Sequence, residues 1–408
     1  MHIPRVLGLA VLWLAASSPL LAQKPPKNDP TPYCVSEGFT VTLPLAYQAR
    51  HLYTEGTLRG RPQRWVFDTG APMVITPALA AEMGYAELKS IEVTDASGQT
   101  RTQRRVLIDT LRLGTAVFVN LPAVVADFTS SAELACLFEG AAGILGIEPL
   151  KGLSVAIDYR AGQLTLTDQP AALPQAANAR RAPYKPNASG TPVVELRVGG
   201  KKATSVKLDT GSGGGLDLSS PLRGKLVGRG HPYAGVGATG RVSGGLFGSV
   251  ELATYTTQLD NLALGGVPIG NRLVRFEGEA TSHLVGNTVL SEFRVTVHTA
   301  TQEVEFAPYG PLPSAALTLP GYGVIVTFDA GKVQVVGLYE NSPAQEAGLR
   351  VGAYFQVING QDVSRLSLTD YCTLWQGWDD LPDRLPVIVN QNGLDQPLTL
   401  VRKDLLTR

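Results

Sequence analysis

Two copies of Asp-Thr-Gly are the residues of this chain best suited to chemistry. The triplets Asp68-Thr69-Gly70 and Asp209-Thr210-Gly211 each follow an apolar run. Two carboxyls that share a site can hydrolyse a peptide bond without a metal, because one takes a proton from water while the other protonates the substrate carbonyl. Like charges in contact do not both ionise, so such a pair keeps one proton near its working pH. Asp68 and Asp209 are therefore the candidate catalytic residues.

The other members of each triplet suit a supporting role. Thr69 and Thr210 offer short hydroxyls that can hydrogen-bond between the two sites and hold each turn rigid. Gly70 and Gly211 let the backbone approach a carboxylate closely. A simpler interpretation is that each triplet is an Asp-initiated turn after a strand, and a scaffold can also keep such turns after catalysis is lost.

The sequence around the triplets repeats. The aspartates are separated by 209 − 68 = 141 positions, and the glycines of Ile144-Leu145-Gly146 and Leu284-Val285-Gly286 by 286 − 146 = 140. Alternating segments that follow each glycine indicate a closing β-hairpin in both halves. The 44 glycines and 28 prolines punctuate many short β-rich segments. The sequence therefore predicts an all-β fold built from two homologous halves.

These features resemble the aspartic peptidases, and in particular the bacterial retropepsin-like proteins in which two Asp-Thr-Gly lobes are fused in one chain. The resemblance covers roughly residues 36 to 310 and rests on the two triplets and the two apolar-apolar-Gly segments. It implies two β lobes related by pseudo-two-fold symmetry, at residues 36–168 and 192–308. Residues 169–191, rich in Ala and Pro, are the predicted interlobe linker.

A substrate would have to be covered as well as cleaved, and each half offers a polar hairpin candidate. The first is residues 93–100, with Ser97 and Gly98 at its tip, and the second is residues 233–241, with Gly237 and Gly240. In the resembling family such hairpins are flaps that close over an extended peptide, and glycines suit a mobile tip. Ordinary exposed hairpins are the alternative.

Residues 317–405 resemble a PDZ domain of the bacterial type. Ser342-Pro343-Ala344, Ala347-Gly348-Leu349 and Asn359-Gly360 occur in the order typical of that family. PDZ domains add an extended peptide to a sheet edge and capture a terminal carboxylate. The resemblance implies a peptide-binding loop for a C-terminal peptide ligand, formed by Gly321, Tyr322, Gly323 and Val324. The alternative is a module that only packs on the rest of the protein.

The N-terminus has the pattern of a signal peptide at residues 1–22. A short basic start precedes an almost wholly apolar run and a small-residue exit. The run is too short to span a membrane, and no cysteine lies there for a lipid anchor. We therefore expect a periplasmic or secreted protein without a stable membrane anchor.

An oxidising compartment would permit a disulfide. Of the three cysteines, Cys34 and Cys136 fall in the first half and Cys372 lies in the PDZ-like region. A bond between Cys34 and Cys136 is the expected pairing, although sequence does not reveal whether their Cα atoms come within bonding range. One cysteine stays unpaired in any case.

Composition argues against several classes of function. The 35 basic and 35 acidic residues balance to zero formal charge, so nothing directs the protein to nucleic acid. The five histidines form no short-spaced ligand set, and we expect neither a metal nor a cofactor. Two functions remain: an exported aspartic endopeptidase acting on peptides or unfolded proteins, and a non-catalytic peptide-binding scaffold on the same fold.

Overall fold

The computed structural model describes residues 30–227, 235–278 and 282–406. The predicted signal peptide, residues 1–22, lies outside the described residues, as do the first two residues of the second predicted hairpin. None of the helices in the described ranges has the length and hydropathy that crossing a bilayer requires. The secondary structure is mostly β, as the sequence predicts.

The first lobe extends from β1 to β11. Its elements are β1 (Tyr33–Cys34), β2 (Thr40–Gln48), β3 (His51–Leu58), β4 (Arg61–Asp68), β5 (Val74–Ile75), α1 (Pro77–Met83), β6 (Ala86–Thr94), β7 (Thr100–Leu113), β8 (Ala116–Val125), α2 (Ala132–Leu137), β9 (Gly143–Gly146), a 3₁₀ helix (Glu148–Leu150), β10 (Ser154–Asp158) and β11 (Gln163–Thr167). Alternation along β2 directs Val41, Leu43 and Leu45 inward, as expected for a strand with one buried face. Thr76 caps α1, where its hydroxyl accepts a hydrogen bond from the Leu79 amide.

The second lobe repeats this order. Its elements are a 3₁₀ helix (Pro170–Ala172), β12 (Arg180–Pro183), β13 (Lys185–Pro186), β14 (Pro192–Val198), β15 (Lys201–Leu208), β16 (Leu216–Ser219), α3 (Ser220–Val227), β17 (Gly235–Gly245), β18 (Gly248–Glu251), β19 (Thr254–Leu264), β20 (Val267–Glu277), β21 (Leu284–Val285), α4 (Asn287–Leu290), β22 (Phe293–His298) and β23 (Glu303–Pro308). The segment predicted as an interlobe linker thus carries two short strands. Of these, β12 pairs with β23 and β13 with β14, so the segment is joined to the second lobe.

The two lobes share an unusual strand arrangement. In the first, β4 runs parallel to β9, and β5 lies between β9 and β8, antiparallel to one and parallel to the other. In the second, β15, β21, β16 and β20 pair in the same way. The closing hairpins β10–β11 and β22–β23 meet through an antiparallel β10–β22 pair. One hydrophobic core extends through both lobes, with Trp65, Phe67, Phe276 and Phe306 fully buried. The internal repeat of the sequence therefore corresponds to two β lobes of the same topology.

A smaller β domain follows at the C-terminus. Its elements are β24 (Pro320–Gly321), β25 (Val324–Asp329), β26 (Lys332–Tyr339), α5 (Pro343–Glu346), β27 (Tyr354–Ile358), β28 (Gln361–Asp362), α6 (Leu368–Gln376), a 3₁₀ helix (Trp378–Asp380), β29 (Arg384–Gln391), β30 (Leu394–Val401) and β31 (Lys403–Asp404). Ser367 and Asp370 form a capping box that starts α6. The domain has its own core, built around Val333, Phe355 and Leu385.

The C-terminal domain is joined to both lobes. Strand β26 pairs with β17 of the second lobe through Ala238, Thr239 and Gly240. Helix α2 of the first lobe packs against α6 and β25, and a disulfide links Cys136 to Cys372. The expected Cys34–Cys136 pairing is therefore wrong. Cys34 remains a free thiol on β1, because docking of α2 on α6 brings the Cα atoms of Cys136 and Cys372 to 5.3 Å, within bonding range.

Candidate active site

The two Asp-Thr-Gly turns meet face to face between the lobes. Each follows the last residues of a strand, β4 or β15, at the point where the strand lies beside an apolar-apolar-Gly segment. Gly146 and Gly286 are required there, because a Cβ on either would overlap the backbone after the neighbouring aspartate. Each turn thus packs against the glycine of its own half. In the sequence, the signal that predicts the pair of sites is an Asp-Thr-Gly triplet together with an apolar-apolar-Gly segment in each half.

Reciprocal hydrogen bonds lock the turns together. The Thr69 hydroxyl donates to the Leu208 carbonyl at 2.6 Å and accepts from the Thr210 amide at 3.1 Å. The Thr210 hydroxyl donates to the Phe67 carbonyl at 3.0 Å and accepts from the Thr69 amide at 2.9 Å. Both threonines are 1% exposed. The structure brings Thr69 and Thr210 together as a buried bridge, the arrangement in which they would support the site.

The carboxyls of Asp68 and Asp209 lie against each other above this bridge. The Gly70 amide donates to Asp68 Oδ1 at 2.7 Å, and the Gly211 amide donates to Asp209 Oδ1 at 3.0 Å. A Cβ on Gly70 would overlap the Asp209 carboxyl, and one on Gly211 would overlap the Asp68 carboxyl. Both glycines are therefore dictated by the close approach of the two aspartates.

The pKa values of both carboxyls are raised. Burial and the neighbouring charge of Asp209 hold the pKa of Asp68 well above its ordinary value. Burial also raises the pKa of Asp209, while the nearby Lys207 ammonium and the amides of Gly211 and Ser212 oppose that rise. Two buried carboxyls in contact do not both ionise, so the pair is suited to share one proton.

A cavity of about 670 Å³ opens above the carboxyls. Its lining comes from both lobes and from the C-terminal domain. Helix α2 contributes Leu134 and Leu137, while the C-terminal domain contributes residues 325–327 and Trp375. The cavity is large enough for several side chains of an extended peptide.

Two hairpin tips close the cavity from above. In the first hairpin, β6–β7, Ser97 and Gly98 lie in the turn, where the Asp95 carboxylate accepts hydrogen bonds from the Ser97 and Gln99 amides. Asp95 also accepts from the Phe247 amide of the second hairpin at 2.9 Å. The tips therefore touch one another directly.

The second hairpin differs from its prediction. Its turn lies at Leu246–Phe247, between β17 and β18, whereas Gly237 and Gly240 lie within β17. The reason is close packing, because a Cβ on Gly237 would overlap Glu340 and one on Gly240 would overlap the Val336 backbone of β26. The glycines predicted as a mobile tip instead allow the strand to pair with the C-terminal domain.

The loop predicted to bind a C-terminal peptide lies beside the cavity rather than in it. Gly321 pairs with Lys403, Tyr322 is buried, Gly323 adopts a φ of 79°, and Val324 begins β25. The adjoining strand β25 is packed against α2, and the Thr327 hydroxyl donates to Glu133 at 2.8 Å. Peptide binding by this loop remains a prediction.

Two residues that the sequence analysis did not identify also shape the site. The buried Asn287 donates from Nδ2 to the Thr210 carbonyl at 2.7 Å and to the Arg50 carbonyl at 2.8 Å, which fixes the second turn from behind. His51 lines the cavity and hydrogen-bonds the Ala49 carbonyl, and burial lowers its pKa. The position of Asn287, directly after Leu284-Val285-Gly286, could have revealed it. Nothing near His51 in the sequence marks that residue.

Within the described residues, no cluster of His, Cys, Asp and Glu has the geometry of a metal site. The cavity around Asp68 and Asp209 is lined by apolar groups of the first lobe and by charged groups of the second, among them Lys207 and Arg275. The arrangement can polarise a water molecule and a carbonyl between two carboxyls that share a proton.

Residues 54–148 match the family model described as aspartyl protease. A search of curated proteins found no match. Among solved structures, the chain is similar to basic 7S globulin from soybean, with 12% sequence identity, a TM-score of 0.40, and coverage of 66% of this chain and 94% of that one. It is also similar to an aspartic proteinase from Irpex lacteus, with 13% identity, a TM-score of 0.39, and coverage of 66% of this chain and 97% of that one. The family-model match covers part of the first lobe and contains Asp68 and the strands that position it.

Proposed function

We propose that the protein is an exported aspartic endopeptidase that cleaves peptides or unfolded proteins with Asp68 and Asp209. The observation that carries this proposal is the contact of two buried carboxyls with raised pKa values, each in the same kind of Asp-Thr-Gly turn, beneath a cavity that two hairpin tips partly cover. A shared proton on such a pair is established behaviour of aspartic proteases. The family-model match over the first lobe supports the same assignment.

The mechanism follows from a proton shared by the two carboxyls. The ionised carboxyl of the pair takes a proton from water, which attacks the scissile carbonyl carbon, while the protonated carboxyl donates its proton to the carbonyl oxygen. The tetrahedral intermediate collapses when the carboxyl that took the water proton delivers it to the amide nitrogen, the other carboxylate takes a proton back from a hydroxyl of the intermediate, and the carbon–nitrogen bond breaks. The threonine bridge keeps both carboxyls in place throughout, so little reorganisation accompanies the reaction.

The hairpin tips and the C-terminal domain are proposed to position the substrate. An extended peptide would enter when the contact between Asp95 and Phe247 opens, and the tips would then close over it. The C-terminal domain supplies part of the cavity wall and is joined to the second hairpin, so it would recruit or position protein substrates. A C-terminal peptide bound at residues 321–324 is a further proposed ligand of this domain.

Export is proposed from the signal-peptide pattern of residues 1–22. The Cys136–Cys372 bond supports a periplasmic or secreted location, because such bonds persist mainly in oxidising compartments.

The test compares the purified protein with Asp68→Asn and Asp209→Asn on a mixture of unfolded proteins, from acidic to neutral pH. Asp109→Asn is the matched control, since Asp109 is a half-exposed aspartate of β7 that pairs with Arg59. We expect wild type and Asp109→Asn to cleave, and both dyad variants to lose at least about a thousandfold in kcat/KM. A pepstatin-like inhibitor should abolish cleavage by wild type and by Asp109→Asn.

Cleavage that survives in both dyad variants would contradict the proposed mechanism. If wild type is silent at every pH although folded, yet binds unfolded peptides, the protein is instead a peptide-binding scaffold.

A further inference from the structure

The repeated topology identifies which residues of the two lobes occupy equivalent places around the dyad. In the first lobe, Val74 of β5 lies beside Val124 of β8 in a parallel pair. In the second lobe, Asp217 of β16 lies beside Arg275 of β20 in the equivalent pair. Both strands β5 and β16 also pair antiparallel with the apolar-apolar-Gly strand of their own lobe. Val74 therefore corresponds to Asp217, and Val124 corresponds to Arg275.

Two further correspondences follow from the same register. Two residues before each catalytic aspartate, the first lobe has Val66 and the second has Lys207. Two residues beyond Val124, the first lobe has Ala126, and the second has Glu277 two residues beyond Arg275. Every one of the four positions is apolar in the first lobe and charged in the second.

The first-lobe wall of the cavity is accordingly apolar. It includes Val66, Val74, Val124, Phe128, Leu134 and Ile144. Most of these side chains belong to one buried cluster, in which Phe128 also stacks on Phe138. Besides Asp68, the acids of this lobe that line the cavity, Asp95 and Glu133, already accept hydrogen bonds from Phe247 and Thr327. Such a wall favours an apolar substrate side chain, because contact with it removes apolar surface from water.

The second-lobe wall is ionic, and most of its charges are already paired. Arg275 donates from Nε and Nη2 to the two oxygens of Asp217, both at 3.0 Å. The same Nη2 lies 3.4 Å from Glu277 Oε2. The Asp217 and Glu277 side chains are almost fully buried. Because both acids already bind a guanidinium, they are poorly placed to receive a basic substrate side chain.

Lys207 is the cation of this wall that remains open to a ligand. Its Nζ donates to the Ser282 hydroxyl at 3.1 Å, and in residues 30–227, 235–278 and 282–406 no carboxylate lies within ion-pair distance of it, while its charge acts on the Asp209 carboxyl from farther away. The side chain is half-buried and lines the same cavity as the dyad. An ammonium that is partly removed from water favours an anionic hydrogen-bond acceptor.

We propose that the cleft selects substrates with an apolar side chain on the first-lobe side of the scissile bond and an acidic side chain on the second-lobe side, where Lys207 binds its carboxylate. The inference rests on the peptidase function proposed above and assigns the substrate class of that site. Because the two subsites are related by the pseudo-two-fold axis, they lie on opposite sides of the bond that is cut.

The test uses two peptide series, Leu-X and X-Leu at the scissile bond, with Glu, Gln, Leu or Lys at X. Lys207→Met removes the charge at similar length, and Lys201→Met is the matched control, since Lys201 is an exposed lysine at the start of the same strand. In one of the two series we expect wild type and Lys201→Met to prefer Glu over Gln by about tenfold in kcat/KM, or about 1.4 kcal/mol. Lys207→Met should lose that preference, and because Glu and Gln peptides are compared within the same variant, any effect of the lost charge on the Asp209 carboxyl cancels from the ratio.

Binding measurements on the full-length Asp68→Asn variant keep this inference separate from catalysis. Fluorescence anisotropy of the same labelled peptides should show the tenfold preference for Glu, and Asp68→Asn combined with Lys207→Met should not. Equal affinities for all X, absence of binding, or a preference for Lys would overturn the inference. If wild type cleaves every peptide equally well, the peptidase function stands and the assigned specificity is wrong.

Discussion

The hydroxyl and amide groups of Thr69 and Thr210 are buried and hold the two candidate catalytic aspartates in position. Each hydroxyl both donates and accepts across the lobe interface, so loss of one side chain leaves a carbonyl and an amide of the opposite lobe without their partners. Leaving buried polar groups unsatisfied costs about 1 to 3 kcal/mol each. The bridge is therefore expected to contribute to stability as well as to the position of the carboxyls.

Thr210→Val tests the bridge with almost no change in side-chain shape. We expect the free energy of unfolding to fall by about 2 to 4 kcal/mol, because the Phe67 carbonyl and the Thr69 amide lose their hydrogen-bond partner. Thr42→Val is the control, since the Thr42 hydroxyl bonds Thr165 on an exposed face. Denaturant unfolding measures both variants. Equal and small effects of the two substitutions would show that the buried bridge adds nothing to stability.

The protonated carboxyl of Asp68 also predicts how stability changes with pH. Because its pKa is raised in the folded protein by burial and by Asp209, the neutral form is favoured there. The corresponding stabilisation is fully present below the pKa of an unfolded aspartate and is lost as the pH rises through the folded pKa. Asp68→Asn, which is neutral throughout, should therefore gain stability relative to wild type as the pH rises. Urea unfolding at a series of pH values measures the difference, and a constant difference would contradict a raised pKa of Asp68 in the folded protein.

At the scale of secondary-structure elements, the notable feature is a pair of hairpins that meet over the cavity. The Asp95 carboxylate organises its own turn and also accepts the Phe247 amide. Arg101 adds a hydrogen bond to the Phe247 carbonyl at 3.2 Å, with its guanidinium 5.0 Å from the Phe247 ring centroid. The Ser130 hydroxyl donates to the Leu246 carbonyl and so ties the second tip to the segment before α2. The contact between the two hairpin tips thus depends on a few polar interactions of the buried Asp95 carboxylate and of the neighbouring Arg101 and Ser130.

Asp95→Ala removes the carboxylate that both tips use. We expect KM for peptide substrates to rise about tenfold with a smaller change in kcat, because the tips must then be ordered by the substrate itself. Hydrogen exchange at the Phe247 and Gln99 amides should become faster in the same variant. Thr100→Ala, which removes an exposed hydroxyl pair with Thr94 and does not line the cavity, is the control. Unchanged KM and unchanged amide protection would mean that this contact does not govern closure.

At the scale of the whole molecule, the C-terminal domain connects the two sides of the cavity. One continuous sheet extends from β19 and β17 of the second lobe into β26, β27, β29 and β30. On the opposite side, the Cys136–Cys372 bond and the hydrogen bonds of Glu133 to Thr327 and Tyr371 attach α2 of the first lobe. Any opening of the lobes must therefore either move this domain or bend one of its two attachments.

Cys372→Ser removes the covalent attachment and leaves the polar ones. We expect a loss of about 2 to 5 kcal/mol in the stability of the docked domain, as for other disulfides that close long loops. We also expect faster limited proteolysis in residues 309–319. Cys136→Ser should behave identically, and Cys34→Ser, which removes the free thiol, should match wild type. If the two bonded-cysteine variants are as stable and as resistant as wild type, packing of α2 alone holds the domain.

The sequence predicts the parts of this molecule that depend on local chemistry and on the internal repeat. The two lobes, the paired aspartates and the first hairpin follow from triplets, spacing and turn residues. The cysteine pairing could not be predicted, because it depends on the docking of α2 against α6, which lie 236 residues apart at their cysteines. The position of the second hairpin could not be predicted either, because Gly237 and Gly240 resemble turn residues in the sequence but are required by close strand packing, whereas the turn at Leu246–Phe247 has apolar residues at its tip.

The long span of the disulfide also has a consequence for the order of events during synthesis. Cys34 and Cys136 leave the ribosome while Cys372 is still untranslated, so for most of that time the only partner for Cys136 within the chain is Cys34. In an oxidising compartment, exported chains would first be able to form the bond that the native structure lacks. A chain that had formed that bond would reach the native pairing only by thiol exchange, in which Cys372 displaces Cys34 and returns it to the free thiol on β1. Correct maturation of such a chain would depend on an isomerising environment as well as on an oxidising one.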